Sequence, residues 1–546
     1  MVLLALLHYW GAAVAADPKL IIKRLDELKP ERLRHEDHWK RCADYTFPLR
    51  GEGFNQDKLD AVSGQRKQAD ILDSTGTDCV QTLASEISSG TTPANALWFE
   101  LDVGGEEDGG ERWLDDAADT IFRHIHSSNF DSERMEAIID AITFGWLCYY
   151  VDEDRERGGL SFEHWPLGQV FLSASKPGAK PDTVYRVFSL TARQMAEEFG
   201  EEAVSDEVRK SLKEKPETRF ELVWSIYPRR DYKPGSKMAK NMPIASCWVE
   251  RQTQHLLRES GYHEMPVVVA RWERLPNSVY GVGQVFRALP DIKMLQDMWR
   301  LDLGAGEIAV AGMWIAEDDG VLNPRAIKVG PRKVIVANSV DSMKPLETGS
   351  NFNYSTDRIE RLQARIRRTM LADQIPPVDA PTKTATELMI RVENLRKILG
   401  PIFGRLQSEE LATMVERCFG LAYRAGVLGE PPESIAGQDF SVKYIGPLAR
   451  SQRLEEVTAV ERLAANIGAL AQFFPEALDT FDSDEAVKVM GDGMAIPNKV
   501  LRSAEQIKAV REAKAQAAQE QQQQAMAQQG AMAMQDAQAK RMATAQ

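Results

Sequence analysis

Hydrophobic positions along this chain recur first at helical spacing and then in alternation. From Pro18 to about Leu28, and again from Glu31 to Tyr45, the pattern is helical: Leu25 and Leu28 close one face, Trp39 and Cys42 another, and Pro48 ends the stretch. A third helix is predicted over Ile71–Ser88, where Leu72, Cys79, Val80, Leu83 and Ile87 share a stripe that Gly90 and Pro93 terminate. Leu97–Val103 alternates as a strand does. Helices over Glu111–His126 and Ser132–Phe144 lead into Trp146–Val151, and strands are predicted at Phe162–Phe171, Val184–Phe188, Phe220–Tyr227, Ser246–Leu257 and Pro266–Trp272. This half reads as a mixed α+β body.

Beyond about Arg274 the texture changes. Pro290–Val310 reads as a helix, followed by a Gly/Pro-punctuated, strand-rich insert, Met313–Phe352, that contains the run Lys333-Val-Ile-Val-Ala337. Ser355–Leu371 is helical again, and the loop Ile375-Pro-Pro-Val-Asp-Ala-Pro-Thr382 cannot be, because its prolines remove donors and clash with the preceding turn. Thr384-Ala-Thr-Glu387 then supplies a capping box for a long helix, Ala385 to about Ala425. Pro401 lies well inside it, which predicts a kink near Leu399. A short strand, Phe440–Tyr444, and helices over Arg453–Phe474 and Asp484–Met490 complete the ordered pattern. After Pro497 the chain is rich in Ala and Gln, with little apolar bulk, so it either packs against copies of itself or forms a mobile tail.

Composition fits a folded chain: of 546 residues 43% are hydrophobic and 27% charged, enough for roughly three or four ordinary domains or one elaborate fold. Lys and Arg number 67 against 81 Asp and Glu, a net charge of −14 with pI near 5.3. Tight gripping of phosphate needs clustered cations on the binding face, so this balance speaks against it, yet it leaves open nucleic acid that slides past. Five scattered cysteines without a CxxC pair predict a reduced, cytosolic chain. The apolar start, Met1 to Asp17, ends like a secretory signal but lacks a basic residue ahead of its apolar run. An extended or misplaced start is the expectation, and no later segment is apolar enough to span a membrane.

Motifs of catalysis are missing. There is no phosphate-binding Gly-x-x-x-x-Gly-Lys loop and no Gly-x-Ser-x-Gly elbow, and Gly281-Val-Gly283 lacks the third glycine of a dinucleotide fingerprint, so it is read as a backbone turn. His35-Glu-Asp-His38 lacks the i, i+4 spacing of a zinc helix and is expected to form an exposed polar face. His124 and His126 sit two apart on a helix, on different faces, and are expected at the surface. Asp482-Ser-Asp484 opens like a calcium loop but has Val487 where the sharp turn needs glycine. No enzyme activity, cofactor or metal is expected.

One constellation remains. Arg358, Arg361, Arg365 and Arg368 recur at helical spacing, with Ile359, Leu362 and Ile366 on an adjacent apolar stripe. That face suits water or a neighbouring subunit, with Asp357 and Glu360 as local partners, or direct contact with nucleic acid.

The order of parts resembles the head-to-tail connector, or portal, family of short-tailed phages. The residues that carry the resemblance are His38-Trp39 through Asp44-Tyr-Thr-Phe-Pro-Leu-Arg50, Asp73-Ser-Thr-Gly76 with Leu83-Ala-Ser-Glu-Ile-Ser-Ser-Gly90, and Tyr280-Gly281 with Ala288-Leu-Pro-Asp-Ile-Lys293. Thr384-Ala-Thr-Glu387, Leu399-Gly-Pro-Ile402 with Arg405-Leu406, and Ile445-Gly-Pro-Leu448 follow in family order. The resemblance spans about Lys19 to Leu448, and the apolar leader departs from it.

It implies a virion protein, assembled in the host cytoplasm as a ring of about twelve copies at one capsid vertex. Double-stranded DNA would pass through the ring without sequence recognition, driven by a separate motor. Residues 18–285 would form a wing, 286–311 and 354–371 a stem, and 312–353 a clip. Residues 372–384 would form a tunnel loop, 385–448 a long kinked helix and return strand, 449–502 a crown, and 503–546 a barrel helix or a disordered tail. Lys383 on the loop would face DNA, the four stem arginines would either pair with acidic surfaces around the ring or touch passing phosphate, and Lys328, Arg332 and Lys333 would help the clip dock the terminase large subunit and later the tail adaptor and tail proteins. Major capsid and scaffold proteins would surround the ring, with no membrane partner. A competing reading is a non-enzymatic oligomeric scaffold without a DNA channel.

Overall fold

The computed structural model describes residues 17–54, 61–102, 110–154, 156–234, 238–311, 314–316, 343–345, 352–372, 399–432, 441–444, 447–471, 474, 480–493, 507–508, 510–514 and 516. They fall into two compact units, one of residues 1–107 and 116–444, the other of 108–115 and 445–546. The first is an α+β body.

Helix α1 (Pro18–Asp44) is capped by Asp17, whose carboxylate accepts from Lys19 N at 2.9 Å. The pattern predicts a break around Pro30, yet α1 runs straight through it. Pro30 faces solvent, and Ile21, Ile22, Leu25, Leu28, Trp39 and Cys42 are all buried on the same body. Burial worth roughly 1.5–3 kcal/mol for each large apolar side chain outweighs the roughly 3 kcal/mol that an interior proline costs. Short helices α2 (Pro48–Glu52) and α3 (Ala61–Ala69) precede α4 (Thr75–Thr91). Helix α4 starts later than the predicted Ile71, because the backbone N–H groups of Leu72 and Asp73 are taken by the Gln296 side chain instead of a helical turn.

Strand β1 (Phe99–Asp102), helices α5 (Gly110–His126) and α6 (Phe130–Phe144), and strands β2 (Trp146–Glu153), β3 (Leu160–His164), β4 (Val170–Ser173) and β5 (Thr183–Thr191) come next. Helices α7 (Ala192–Phe199) and α8 (Asp206–Glu214) then lead to β6 (Arg219–Pro228), β7 (Ile244–Glu250), β8 (His255–Tyr262), β9 (Val267–Arg271), β10 (Glu273–Arg274) and β11 (Gly281–Val282). The predicted strand Ser246–Leu257 is in fact the hairpin β7–β8, turned at Arg251–Gln254 with Gln254 at φ 55°. Alternation alone does not reveal that reversal.

Strands β4 to β8 form one antiparallel sheet in sequence order, and β3-β2-β9 a second. Along β6 the period-2 rule divides the core. Val223 joins Phe171, Tyr185, Cys247 and Val249 under the apolar stripe of α1, while Trp224 and Ile226 face Trp39, Phe144, Cys148 and Val269 on the other side.

Helix α9 (Gln284–Ala311) begins six residues ahead of Pro290, which again faces solvent. Strands β12 (Trp314–Ala316) and β13 (Met343–Pro345) pair antiparallel at the base of the predicted insert. Helix α10 (Phe352–Thr369) returns alongside α9. Residues 399–405 are helical, Leu406–Leu411 form a π-helical turn, and α11 (Ala412–Arg424) continues it. The predicted kink near Leu399 sits at the edge of the described residues, and the irregularity within them is this π turn. Strand β14 (Ser441–Tyr444) pairs with β1. In the second unit, α12 (Pro447–Ala471) packs on α13 (Ser483–Gly493), burying Val457 and Ala486.

Candidate nucleic-acid interface

Helix α10 turns Ile359, Leu362 and Ile366 inward, each at most 9% exposed, and Met370 just after it is buried too. Residues three and four apart stack beside this stripe, so Arg358, Arg361, Arg365 and Arg368 share one exposed face, as the spacing predicts. Arg361 pairs with Asp357 one turn back at 3.0 Å, and Arg365 reaches Asp291 of α9 at 2.9 Å. The exposed Arg361–Asp357 pair contributes only about 0.3–0.5 kcal/mol, so phosphate competes for Arg361 readily, whereas Asp291 is 7% exposed and holds Arg365 more firmly. The face can therefore act as a weak, non-specific anion surface. Lys383, Lys328, Arg332, Lys333, Thr384 and Glu387 lie outside the described residues.

Two further polar nodes position the helices around this face. At the first, Asp73 accepts from Trp299 Nε1 at 2.9 Å, Gln363 Nε2 at 2.7 Å and Thr75 N at 2.8 Å, while Gln296 Nε2 donates to the Asp73 carbonyl at 2.7 Å. Burial pushes the Asp73 carboxyl up, but these donors outweigh it and hold it below the ordinary value. Gly76 packs so closely on Ile292 that a β-carbon there would sit 3.1 Å from its side chain. Asp73 thus ties both α9 and α10 to the start of α4.

At the second node the π turn carries two consecutive buried carboxylates. Glu409 takes Arg271 at 2.6 Å through Nη2 and again through Nε, and Glu410 takes Arg134 Nε at 2.6 Å and Nη2 at 3.1 Å. Arg134 also donates to the hydroxyls of Thr91 and Thr92 at 3.0 and 2.9 Å. Glu410 and Arg134 are 0% and 1% exposed. Burial lowers the Arg134 pKa, and Glu410 beside it more than restores the charged form, leaving the net shift upward. Farther along, Arg417 pairs with Asp152 at 3.2 Å and Glu264 at 3.3 Å. Charged clasps fasten the whole 405–424 segment to the body.

The histidine motifs have structural roles. His35 and His38 are half-buried and Glu36 is buried, which overturns the exposed-face expectation. His35 stacks on Trp39 and His38 lies edge-on to Phe286, since α1 buries this side against the start of α9. Burial lowers both imidazole pKa values. His126 is also no surface residue: Trp98 Nε1 donates to its Nε2 at 3.2 Å and Asp131 faces its Nδ1 at 3.1 Å. Cys42 lies 3.4 Å from His38, but burial pushes the thiol up to about 12, so the pair is no nucleophile. Gly281 and Gly283 lie against the end of α6, where β-carbons would come within 2.1 Å of the Gly145 carbonyl and 2.3 Å of the Ile142 carbonyl. They serve close backbone approach and hold no phosphate. Among the described residues no group of His, Cys, Asp and Glu could hold a metal ion, and no helix is long and apolar enough to cross a membrane.

A family model described as bacteriophage head to tail connecting protein matches residues 18–501. The chain belongs to that family. Similar proteins include a probable portal protein of Bordetella phage BPP-1, 27% identical over 536 residues, 93% of each chain. The portal protein of Salmonella phage epsilon15 is 29% identical over 525 residues, 91% of each chain. Membership in the head-to-tail connecting family makes the chain a virion component, and several family motifs now have physical roles. Asp73-Ser-Thr-Gly76 is the node that anchors α9 and α10, and Arg405-Leu406 opens the π turn, with Arg405 donating to the Trp272 carbonyl at 2.7 Å. No local pattern announces the Arg134–Glu410 and Arg271–Glu409 pairs. Adjacent acids at 409 and 410 on a helix with apolar neighbours are a faint signal, because at least one of the two must turn away from solvent.

Proposed function

We propose that this connector-family chain is the portal of a tailed phage, forming a ring of identical copies at one capsid vertex. Genomic DNA enters and leaves through the ring, helices α9 and α10 form its stem, and residues 312–353 form the clip that meets the terminase large subunit and later the tail adaptor and tail proteins. Capsid and scaffold proteins hold the ring, which is a conduit and no enzyme. The observation that carries this reading is the family match over residues 18–501, and both relatives named portal proteins cover more than nine-tenths of the chain.

The charge distribution supports it. A net charge of −14 per copy keeps DNA from sticking, while the exposed arginine face of α10 offers transient phosphate contact, as does Lys383 in the tunnel-loop assignment. Negative-stain microscopy of the purified chain tests the ring: closed rings with a central hole are expected, and monomers or irregular clusters would overturn the proposal. Arg361→Ala/Arg365→Ala and Lys383→Glu are expected to keep the ring and slow packaging. A ring lost in these variants would make the residues subunit contacts and refute their DNA role.

A further inference from the structure

We infer that α4 is a rigid coupling rod joining the α9–α10 helix pair to the π turn at Leu406–Leu411. Its two ends meet the two polar nodes. At the N-terminal end Asp73 holds Trp299 and Gln363, and its own carboxylate receives the Thr75 N–H that opens the helix. At the C-terminal end Thr91, the last residue of α4, and Thr92 hold Arg134, which is committed to Glu410. The Tyr444 hydroxyl fastens the same end through the Thr91 carbonyl at 2.8 Å. Between the ends, 17 residues span about 25 Å. One face, Cys79, Val80, Leu83, Ala84 and Ile87, is at most 4% exposed, so the rod cannot tilt without disturbing its packing.

The π turn gives this rod a two-state element to act on. If the turn relaxes to α-helical pairing, residue 410 shifts by one position against residue 405, about 1.5 Å and 100°. The bidentate Arg134–Glu410 pair does not survive such a rotation, and Arg134 would be released against Thr91 and Thr92. Displacement of α9 and α10 at Asp73 presses on the same helix from its other end. Whatever coupling the rod carries is the same in both directions, so a change at either end is felt at the other to an equal extent.

Hydrogen–deuterium exchange on the full-length chain tests the inference without reference to DNA or to the ring. Asp73→Asn keeps the shape but turns an amide N–H toward donors. It is expected to speed exchange in 296–300 and, at the far end, in 406–424 by about fivefold or more. Glu410→Gln is expected to do the reverse, speeding exchange in 72–76 and 296–300, while strands β5 and β6 stay protected in both. Gln81→Gly, on the exposed side of α4, should soften the rod and weaken both long-range effects when combined with either variant. Changes confined to the mutated end, or equal loss of protection in β5 and β6, would overturn the inference. Gln363→Leu removes one Asp73 donor only, and it gives the same reading if Asp73→Asn does not fold.

Discussion

Consider the Arg134–Glu410 pair taken apart one charge at a time. Arg134→Met leaves Glu410, 0% exposed, with the Tyr149 hydroxyl at 3.4 Å as its one remaining hydrogen-bond partner among the described residues. Glu410→Leu leaves Arg134 with the two threonine hydroxyls and, among the described residues, no counter-charge. Each single change strands a buried charge and is expected to cost about 3–5 kcal/mol. The double variant removes both charges but leaves two threonine hydroxyls without a donor and the Tyr149 hydroxyl without its acceptor, at up to about 1 kcal/mol each, so it should cost only about 2–3 kcal/mol. The cycle therefore closes with a coupling of roughly 3 kcal/mol or more. Urea unfolding followed by tryptophan fluorescence reads this directly. With a denaturant slope above about 3 kcal/mol per molar for a unit this long, each single variant should lose roughly 1 M in midpoint and the double about half of that. Single variants that move the midpoint by less than about 0.2 M, or a double variant that falls by the sum of the two, would refute the claim that these charges are desolvated and paired.

Two further outcomes follow from close packing. All five cysteines are buried, and burial pushes Cys42 and Cys418 up to about 12 and Cys247 up to about 11; native protein at pH 8 should resist iodoacetamide while urea-unfolded protein takes up five labels, and rapid native labelling would contradict the burial. Gly145 sits at φ 101° with a virtual β-carbon 2.5 Å from the Gly281 and Val282 backbone, whereas Gly90 meets nothing within 4 Å. Gly145→Ala should cost at least about 2 kcal/mol and Gly90→Ala should gain about 0.5–1 kcal/mol, both read as unfolding midpoints; equal effects would show that the contact at α6 is not made.

Much of the fold was legible because periodicity reports burial. The Cys79–Ile87 stripe of α4, the apolar stripe of α10 and its arginine face stand at the predicted spacing, whereas the predicted strand Phe162–Phe171 is broken at Leu167–Gln169 into β3 and β4. Errors occurred where tertiary contacts overrode local rules. Pro30 and Pro290 are tolerated inside helices because their rings face solvent while both flanks bury apolar side chains. Leu72 belongs to a turn because Gln296, more than two hundred residues away, takes its N–H. Nothing local announces that Tyr280 and Phe286 fold back over His35 and His38. The ion pairs on the π turn join residues 276 and 138 positions apart, beyond the reach of any local pattern.

The pairing of β1 with β14 has a consequence for how the chain is made. Phe99–Asp102 finds its partner only at Ser441–Tyr444, and the Tyr444 hydroxyl meets the Thr91 carbonyl across 353 residues. On a ribosome adding about 5–20 residues per second, the early strand waits roughly 20–70 s for its mate. Until then its backbone edge is open to strangers, including the same segment of sister chains on a crowded message. Glu100 and Asp102 place two negative charges on that waiting edge, and like charges repel an identical strand in antiparallel register. Lys443 lies directly opposite Glu100 in the finished sheet, so the late-arriving partner brings the opposite sign that a sister strand lacks.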